Sequence, residues 1–573
     1  MTGWWRPWPL LAAGLALHAA LSVASMRQWS ATFDEGAHLP AGYTYLALGD
    51  HRLNPEQPPL VKLLAAAPLL ALRPVLKADD EAWTTSRQWE FGRRFLYRWN
   101  DADRLLFWGR LPVVALSCAL AAAVFFWSRR LFGPPAGALA LLLCVLSPDV
   151  LAHGHLVTTD LGLSLFFFLS VVAFERLSER ATRGRLLLAG LALGAAFATK
   201  FSAPILLPVL MVLGVVAVVA REPMASALSS RARTIESRAG RATHAAAMLA
   251  GMGLIALVVL WAAYGFRGPL SPDPVVRAAG RAPLAEPGLG AFAAGAVRVA
   301  DVGLLPEDYV RGLLFVLEHS EARPTFLLGQ LSDHASPYFF PVTFALKTPL
   351  PLIVLLVLAA FVTPRLSWRV AAFLWLPVVV YLALTFTRGL QIGHRHLLPI
   401  YPFLFVAAGR AATLAGRARV AVLALVAWYA VGTLAVHPHY LAYFNELAGG
   451  PRNGYKRLVD SSLDWGQDLK GLRAWMDARG VARIKLSYFG SADPAYYGID
   501  AEALPGYSAP HPARVTREVR PGDLVAVSAT NLQGVYLDPE DRPLMERFRR
   551  STPIDQVGYS ILIYRADFAW PPP

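Results

Sequence analysis

The sequence predicts an α-helical polytopic membrane protein with a small C-terminal α/β domain on the outer side. Three observations predict it: 55% of the 573 residues are hydrophobic and only 16% charged, eleven apolar runs succeed one another up to residue 437, and the texture changes after His437. So apolar a chain must turn most of itself toward lipid or toward other buried helices.

A bilayer crossing takes about 20 mostly apolar residues. Runs of that kind, or slightly shorter, lie at 8–26, 108–128, 136–152, 156–174, 186–202, 204–220, 247–264, 349–363, 369–386, 397–409 and 419–437. Numbering the loops alternately gathers basic residues on one side: Arg129, Arg130, Arg176, Arg180, Arg183, Arg185, Arg221, Arg231, Arg233, Arg238, Arg241, Arg365, Arg369, Arg410, Arg417 and Arg419. By the positive-inside rule that side is cytoplasmic. A multi-pass protein of the inner (cytoplasmic) membrane is expected, with a cytoplasmic N-terminus and an outer C-terminus. The net charge of +14 is thereby explained by topology, and no nucleic-acid partner is needed. The first run is read as a retained span, since its charged flank holds only Arg6. Cys118 and Cys144 both lie inside apolar runs and read as packing residues.

Beyond His437 short strand-like pieces appear at Ile484–Tyr488, Leu524–Ser528 and Tyr559–Tyr564, with a helix-like piece at Gln467–Arg479. The chain divides at 1–437 and 438–573, with large outer loops at 27–107 and 265–348. The second part, roughly 130 residues, is of ordinary domain size.

Polar residues that interrupt apolar sequence converge on the outer face. Asp34 and Glu35 follow the first run, and Glu56 and Lys62 share their loop; His153, His155 and Asp160 lie between runs three and four. Lys200 ends run five, and His394, Arg395 and His396 precede run ten. Each has a plain structural reading: Asp160 as a helix cap, Lys200 as a snorkelling side chain, the histidines as hydrogen-bonded surface groups. Accidental caps would divide between the two faces, so the shared side points to one site. Two adjacent carboxylates beside a bilayer are costly unless hydrated, paired or used.

The first outer loop breaks the charge rule. Arg87, Arg93, Arg94, Arg98 and Arg104 interleave with Trp89, Phe91, Phe95, Leu96, Tyr97 and Trp99. An amphipathic interfacial helix is expected, with aromatics toward lipid. Its arginines either anchor the segment or, as with Arg93 and Arg94, hold an anionic phosphate.

The ordered set Asp34-Glu35, Glu56 before Pro58-Pro59-Leu60, Asp160, Lys200 and His394-Arg395-His396-Leu397-Leu398-Pro399 resembles the GT-C class of polyprenyl-phosphate-sugar-dependent glycosyltransferases. Within it the set is similar to the protein O-mannosyltransferase and aminoarabinose-transferase-like group of bacteria, over roughly residues 8 to 410. The stretches Tyr443-Phe444-Asn445-Glu446, Leu463-Asp464-Trp465-Gly466-Gln467-Asp468 and Ala492-Asp493-Pro494 resemble the tail of many bacterial members. Gln57 stands where some relatives carry His, and the Trp-Trp-Asp-Tyr-Gly signature of oligosaccharyltransferases is missing.

The resemblance implies sugar transfer from a polyprenyl-phosphate donor to a hydroxyl acceptor on a protein, a glycolipid or a wall polymer. The expected mechanism is inverting, with Asp34 as general base assisted by Glu35 and the pair titrating as one unit. Lys200, Arg395 and outer-loop arginines would stabilise the leaving phosphate, and Asp160 would orient acceptor or sugar. Glu56, Lys62, Arg93, Arg94, His394 and His396 complete the expected binding set. A divalent ion between Glu56 and His394 is the alternative holder of the phosphate, although no compact ligand spacing marks it. The competing class is a transporter or flippase of a lipid-linked sugar or other anionic lipid; it would place charges at the midplane in matched halves.

Overall fold

The computed structural model describes residues 7–220, 224–228, 233–267, 290–319, 323–362, 366–386 and 391–571. Arg221, Arg231 and Arg365, and residues 268–289 and 320–322 of the second outer loop, lie outside the described residues. Helix occupies each of the eleven apolar runs. Among the described residues six helices are long and apolar enough to cross a membrane: α1 (Pro7–Met26), α3 (Ala102–Phe132), α5 (Thr159–Glu179), α8 (Arg238–Ala263), α12 (Trp368–Phe386) and α14 (Arg417–Leu434). A seventh crossing is counted if α10 (Phe339–Lys347) and α11 (Leu350–Ala360), bent by 99° at their junction, are taken as one. The remaining runs hold α4 (Pro134–Val145), α6 (Arg183–Phe197), α7 (Leu206–Val219) and α13 (Tyr401–Gly409).

Proline explains several of the shortened helices. Pro349 and Pro351 flank the start of α11, and a proline disfavours helix in the residue before it. After α4, the Ser147 side chain accepts from the Val150 N–H while Pro148 opens a new short helix, Pro148–His153. The expected third span is therefore broken at Leu146-Ser147, one short helix before His153. Helix α5 is the most enclosed of the six, with 72% of its apolar window buried inside the protein, and it carries Asp160 in its first turn.

Beyond residue 437 the chain forms short 3-10 turns, then α15 (Leu469–Ala478) and a five-stranded sheet from β1 (Arg483–Ser487), β2 (Asp500–Ala503), β3 (Leu524–Ser528), β4 (Asp555–Val557) and β5 (Ile561–Arg565), in the order β2-β1-β3-β5-β4. Strand β1 runs parallel to β2 and β3, and β5 runs antiparallel to β3 and β4. The helix and three strands read from sequence are thus present within a residue or two. The short β2 and β4 carry too little alternation to be visible beforehand.

The outer loop at 87–104 departs from the expected lipid-facing helix. It forms helix Gln88–Arg93, a π turn at Arg94–Arg98, and then α3 after an Asp101 cap. Phe91, Phe95 and Leu96 are fully buried, in one core with Leu469, Leu472, Ile484 and Leu486 of the outer sheet layer. These aromatics face protein because the C-terminal sheet layer lies on them, which buries more apolar area than an interfacial helix would.

Candidate active site

The loop between α1 and the short helix α2 (Glu35–Leu48) carries both acidic residues, and they point to different places. Glu35 is sealed. Its carboxylate accepts from Arg110 Nε at 2.9 Å and Nη2 at 2.7 Å, from the Thr32 N–H at 2.9 Å and hydroxyl at 3.0 Å, and from the Val157 N–H at 3.0 Å. Arg110, two turns into α3, donates further to the carbonyls of Met26 at 2.8 Å and Ser30 at 2.8 Å. One guanidinium thus stitches the whole loop 26–35 to a membrane helix. Burial pushes the Glu35 carboxyl up, yet the Arg110 charge and these hydrogen bonds outweigh it and hold the group below its ordinary range. The other side of the loop is tied to the C-terminal part: the Phe33 N–H donates to Trp465 O at 2.8 Å, the Ser30 N–H to Gln467 O at 2.9 Å, and the Ser491 hydroxyl to Phe33 O at 2.7 Å.

Asp34 points into a chain of alternating charges. Arg395 Nη1 donates to Asp34 Oδ2 at 2.8 Å and reaches Asp160 Oδ2 at 3.4 Å, and Asp160 is bonded through Oδ1 to Lys200 Nζ. The Arg395 guanidinium lies over the Trp465 ring, 4.2 Å from its centroid, a favourable cation–π arrangement. Four of the residues expected to form one site, drawn from four separate stretches of sequence, do meet.

Asp34 and Arg395 open onto a cavity of about 400 Å³ lined also by Phe33, His38, Glu56, Gln57, Trp89, Phe315, Val316, Arg323, Pro324, Ile392, Asp460, Trp465, Phe489, Tyr507 and Tyr536. Asp160 and Lys200 stand behind this lining. Glu56 is in the wall, held by Asn54 Nδ2 at 2.6 Å and Gln88 Nε2 at 2.6 Å, and burial pushes its carboxyl above the usual carboxylate range, making it a weaker acid. Burial brings the His38 imidazole down to about 4, so that ring is neutral near pH 7.

The other expected members are placed elsewhere. Glu35 neither lines the cavity nor pairs with Asp34; a coupled Asp34-Glu35 base is replaced by two separate ion pairs, because each carboxylate finds its own arginine. Lys62 is buried against Tyr45 Oη, both the carbonyl and side-chain oxygens of Asn54, and Gln57 O, all within 3.1 Å, and it fixes the loop that brings Glu56 to the cavity. Arg93 faces Asp493 at 3.8 Å and Arg94 is paired with Asp80 and Glu90, so both are engaged away from Asp34. His394 bonds Tyr401 Oη at 2.7 Å beside Asp149, and His396 packs against Phe340. Glu56 and His394 therefore share no ligand set, and among the described residues no group of three or more His, Cys, Asp or Glu is placed to hold a metal ion.

Three residues of weight escaped the sequence reading, Arg110, Arg323 and Asp460, and Trp465 entered it only as part of the tail resemblance, with no role. Arg110 left a signal, a charge within an apolar run, where ionisable groups are expensive and mostly used.

Comparison with known proteins adds to this geometry. Residues 104–261 match the family model described as dolichyl-phosphate-mannose-protein mannosyltransferase. Among solved structures the chain is similar to ArnT from Cupriavidus metallidurans bound to undecaprenyl phosphate, at 13% identity and a TM-score of 0.48 over 96% of this chain and 97% of that one. It is also similar to the Archaeoglobus fulgidus oligosaccharyltransferase in its apo form, at 13% identity and a TM-score of 0.45 over 100% of this chain and 76% of that one. No curated protein matches the chain. The matched segment, less than half of the chain, holds Arg110, Asp160 and Lys200.

Proposed function

We propose that this protein is a membrane glycosyltransferase that moves a sugar from a polyprenyl-phosphate donor to a hydroxyl acceptor at the outer face of the cytoplasmic membrane. The observation that carries the reading is the open ion pair between Asp34 and Arg395, backed by Asp160 and Lys200 and facing a cavity beside the apolar helices. An acid that can accept a proton and a cation that can hold a phosphate sit in contact, at the place where a lipid-borne substrate and a soluble one can meet.

The resting pair suggests the order of events. A donor phosphate is a stronger partner for a guanidinium than a single carboxylate; as it binds Arg395 it loosens the bond to Asp34 Oδ2 and frees that oxygen. Asp34 then takes the proton of the acceptor hydroxyl while the hydroxyl oxygen attacks the anomeric carbon. The new C–O bond forms as the bond from the anomeric carbon to the phosphate oxygen breaks, and its electron pair leaves with the polyprenyl phosphate. Attack opposite the phosphate inverts the anomeric centre. Arg395 and Lys200 face the charge that grows on the leaving group. Asp160, bonded to both cations, is a positioning residue that keeps them aimed. Arg110 and Glu35 are positioning residues one step further out, since they hold the loop on which Asp34 stands.

The test is transfer or donor hydrolysis by the purified protein in lipid, using a panel of radiolabelled polyprenyl-phosphate sugars. Wild-type turnover that collapses in Asp34→Asn, with thermal stability retained, is the expected result. Turnover unaffected by that substitution would remove Asp34 as the base, and no turnover with any donor would count against the transferase reading.

A further inference from the structure

The carboxyl ends of the three parallel strands all turn toward the cavity. Phe489 follows β1, Tyr507 follows β2, and Thr530 and Tyr536 follow β3. In sheets with parallel strands, ligands settle in the crevice beyond those ends. Three of these residues join Phe33 in one aromatic shelf: Phe33 lies 5.3 Å from Phe489 and 5.8 Å from Tyr507, and Tyr536 lies 4.9 Å from Tyr507 and 5.9 Å from Phe489. Phe33, Tyr507 and Tyr536 are only partly buried, so the shelf keeps surface open to the cavity.

Beside it stands Asp460. Its Oδ2 accepts from Tyr536 Oη at 2.5 Å, its Oδ1 from the Ser461 N–H at 2.5 Å, and its own N–H donates to Thr530 Oγ1 at 3.0 Å. The residue is held at φ +52°, a left-handed conformation that non-glycine residues seldom adopt and that tends to collect at functional sites. A carboxylate has no conformational need for this place, since Asn or Gly would take the same backbone with less cost.

We propose that this edge of the outer domain is the acceptor subsite and that the acceptor is a carbohydrate. A pyranose ring rests on Tyr507 and Tyr536, its hydroxyls donate to Asp460, and its attacking hydroxyl is presented to Asp34. The inference rests on the transferase reading given above. Its chemistry comes from the lining. Aromatic faces suit the C–H face of a sugar, and three carboxylates, Asp34, Glu56 and Asp460, accept hydrogen bonds and offer none when ionised, so they ask for a ligand rich in hydroxyl donors. A peptide held by strand addition pairs its backbone with a strand edge, and none of the lining residues belongs to a strand. The donor reaches Arg395 from the membrane side, which leaves the shelf, on the outer side, to the second substrate.

The test uses the full-length protein in lipid nanodiscs. Linear trisaccharides of glucose, galactose and mannose, with a serine/threonine peptide as the rival, are titrated without donor by saturation-transfer NMR, and then used as acceptors with donor present. Asp460→Asn keeps the volume and tolerates the left-handed backbone, so it folds where larger changes fail; Tyr507→Ala removes part of the shelf. The expected result is saturable binding of a trisaccharide, weakened about ten- to hundredfold by Asp460→Asn, the range that loss of hydrogen bonds to a charged group corresponds to. With donor present, the acceptor KM rises by a similar factor while kcat changes little. Sugar binding with no turnover of any donor would overturn the transferase reading alone. A peptide that binds and is glycosylated in place of the trisaccharides, or sugar binding indifferent to both substitutions, would overturn the subsite.

Discussion

Asp34 and Glu35 are neighbours in sequence, each bound to an arginine, yet the two ion pairs are opposites. The Glu35–Arg110 pair is closed: its side chains are 0% and 1% exposed, and six other groups bond the carboxylate or the guanidinium. The Asp34–Arg395 pair is open, with the aspartate side chain 25% exposed and the guanidinium offering one face to a cavity wall. The same two functional groups form a sealed rivet in one place and a pair that faces a cavity in the other. What separates them is whether a substrate atom can reach the pair.

The largest effect should come from the open pair. Asp34→Asn keeps shape and loses the base, and transfer should fall by about 10²–10⁴-fold, the usual worth of a positioned general base, while the melting temperature stays near wild type. Rate and Tm measured side by side check both halves of that statement. The closed pair should answer in the opposite sense. Arg110→Ala leaves a buried, uncompensated carboxylate and should destabilise the protein by about 3–5 kcal/mol, seen as a loss of folded protein and a lowered Tm before any kinetic effect is read. Replacing both partners by apolar residues, Glu35→Leu with Arg110→Met, should recover part of that loss, since the desolvation cost of two charges disappears. If the double replacement stays as unstable as the single, the role of Arg110 lies in its bonds to the Met26 and Ser30 carbonyls rather than in its charge.

Arg395→Lys should be intermediate. An ammonium retains the charge but cannot bridge Asp34 and Asp160 while lying flat on Trp465, and a loss of about ten- to hundredfold in kcat/KM is expected for a site that depends on guanidinium geometry. A change confined to the donor KM would place Arg395 in ground-state phosphate binding; an equal fall in kcat would place it on the charge that develops as the bond breaks.

Much of this was legible in the sequence for one reason: polar groups that interrupt apolar runs are few, so their shared side is informative. Asp34, Asp160, Lys200 and Arg395 were found that way. Arg110 was hidden by the same logic, because it lies inside a run that reads as a span. The stretch at 87–104 misled because aromatic residues alternating with arginines suit a lipid surface and a protein surface equally; only the fold shows that Phe91 and Phe95 meet the outer sheet layer. Asp460 has neither periodicity nor an apolar background to stand against, and its importance comes from a backbone angle and from partners that lie 70 and 76 residues away.

Another buried acid sharpens the contrast between closed and open pairs. Asp464 is fully buried, accepts from the Thr530 N–H at 2.8 Å, and makes no ion pair among the described residues. Burial therefore wins, and its carboxyl is pushed from 3.8 up to about 8. Glu35, buried as deeply but beside Arg110, moves the other way. The two contribute to stability with opposite signs. The folded state holds the Asp464 proton where the unfolded chain has released it, so this contribution is present at low pH and is lost as pH rises from about 4 toward about 8. The contribution of Glu35 is present above its ordinary range and is lost as the pH falls. Asp464→Asn removes the first effect without touching the second. The variant's Tm should fall less than that of the wild type between pH 5 and 8, by a few degrees on the usual scaling, with the acid side of the profile unchanged. A wild-type profile flat across that window would show that Asp464 is ionised in the fold and that an additional cation or solvent reaches it.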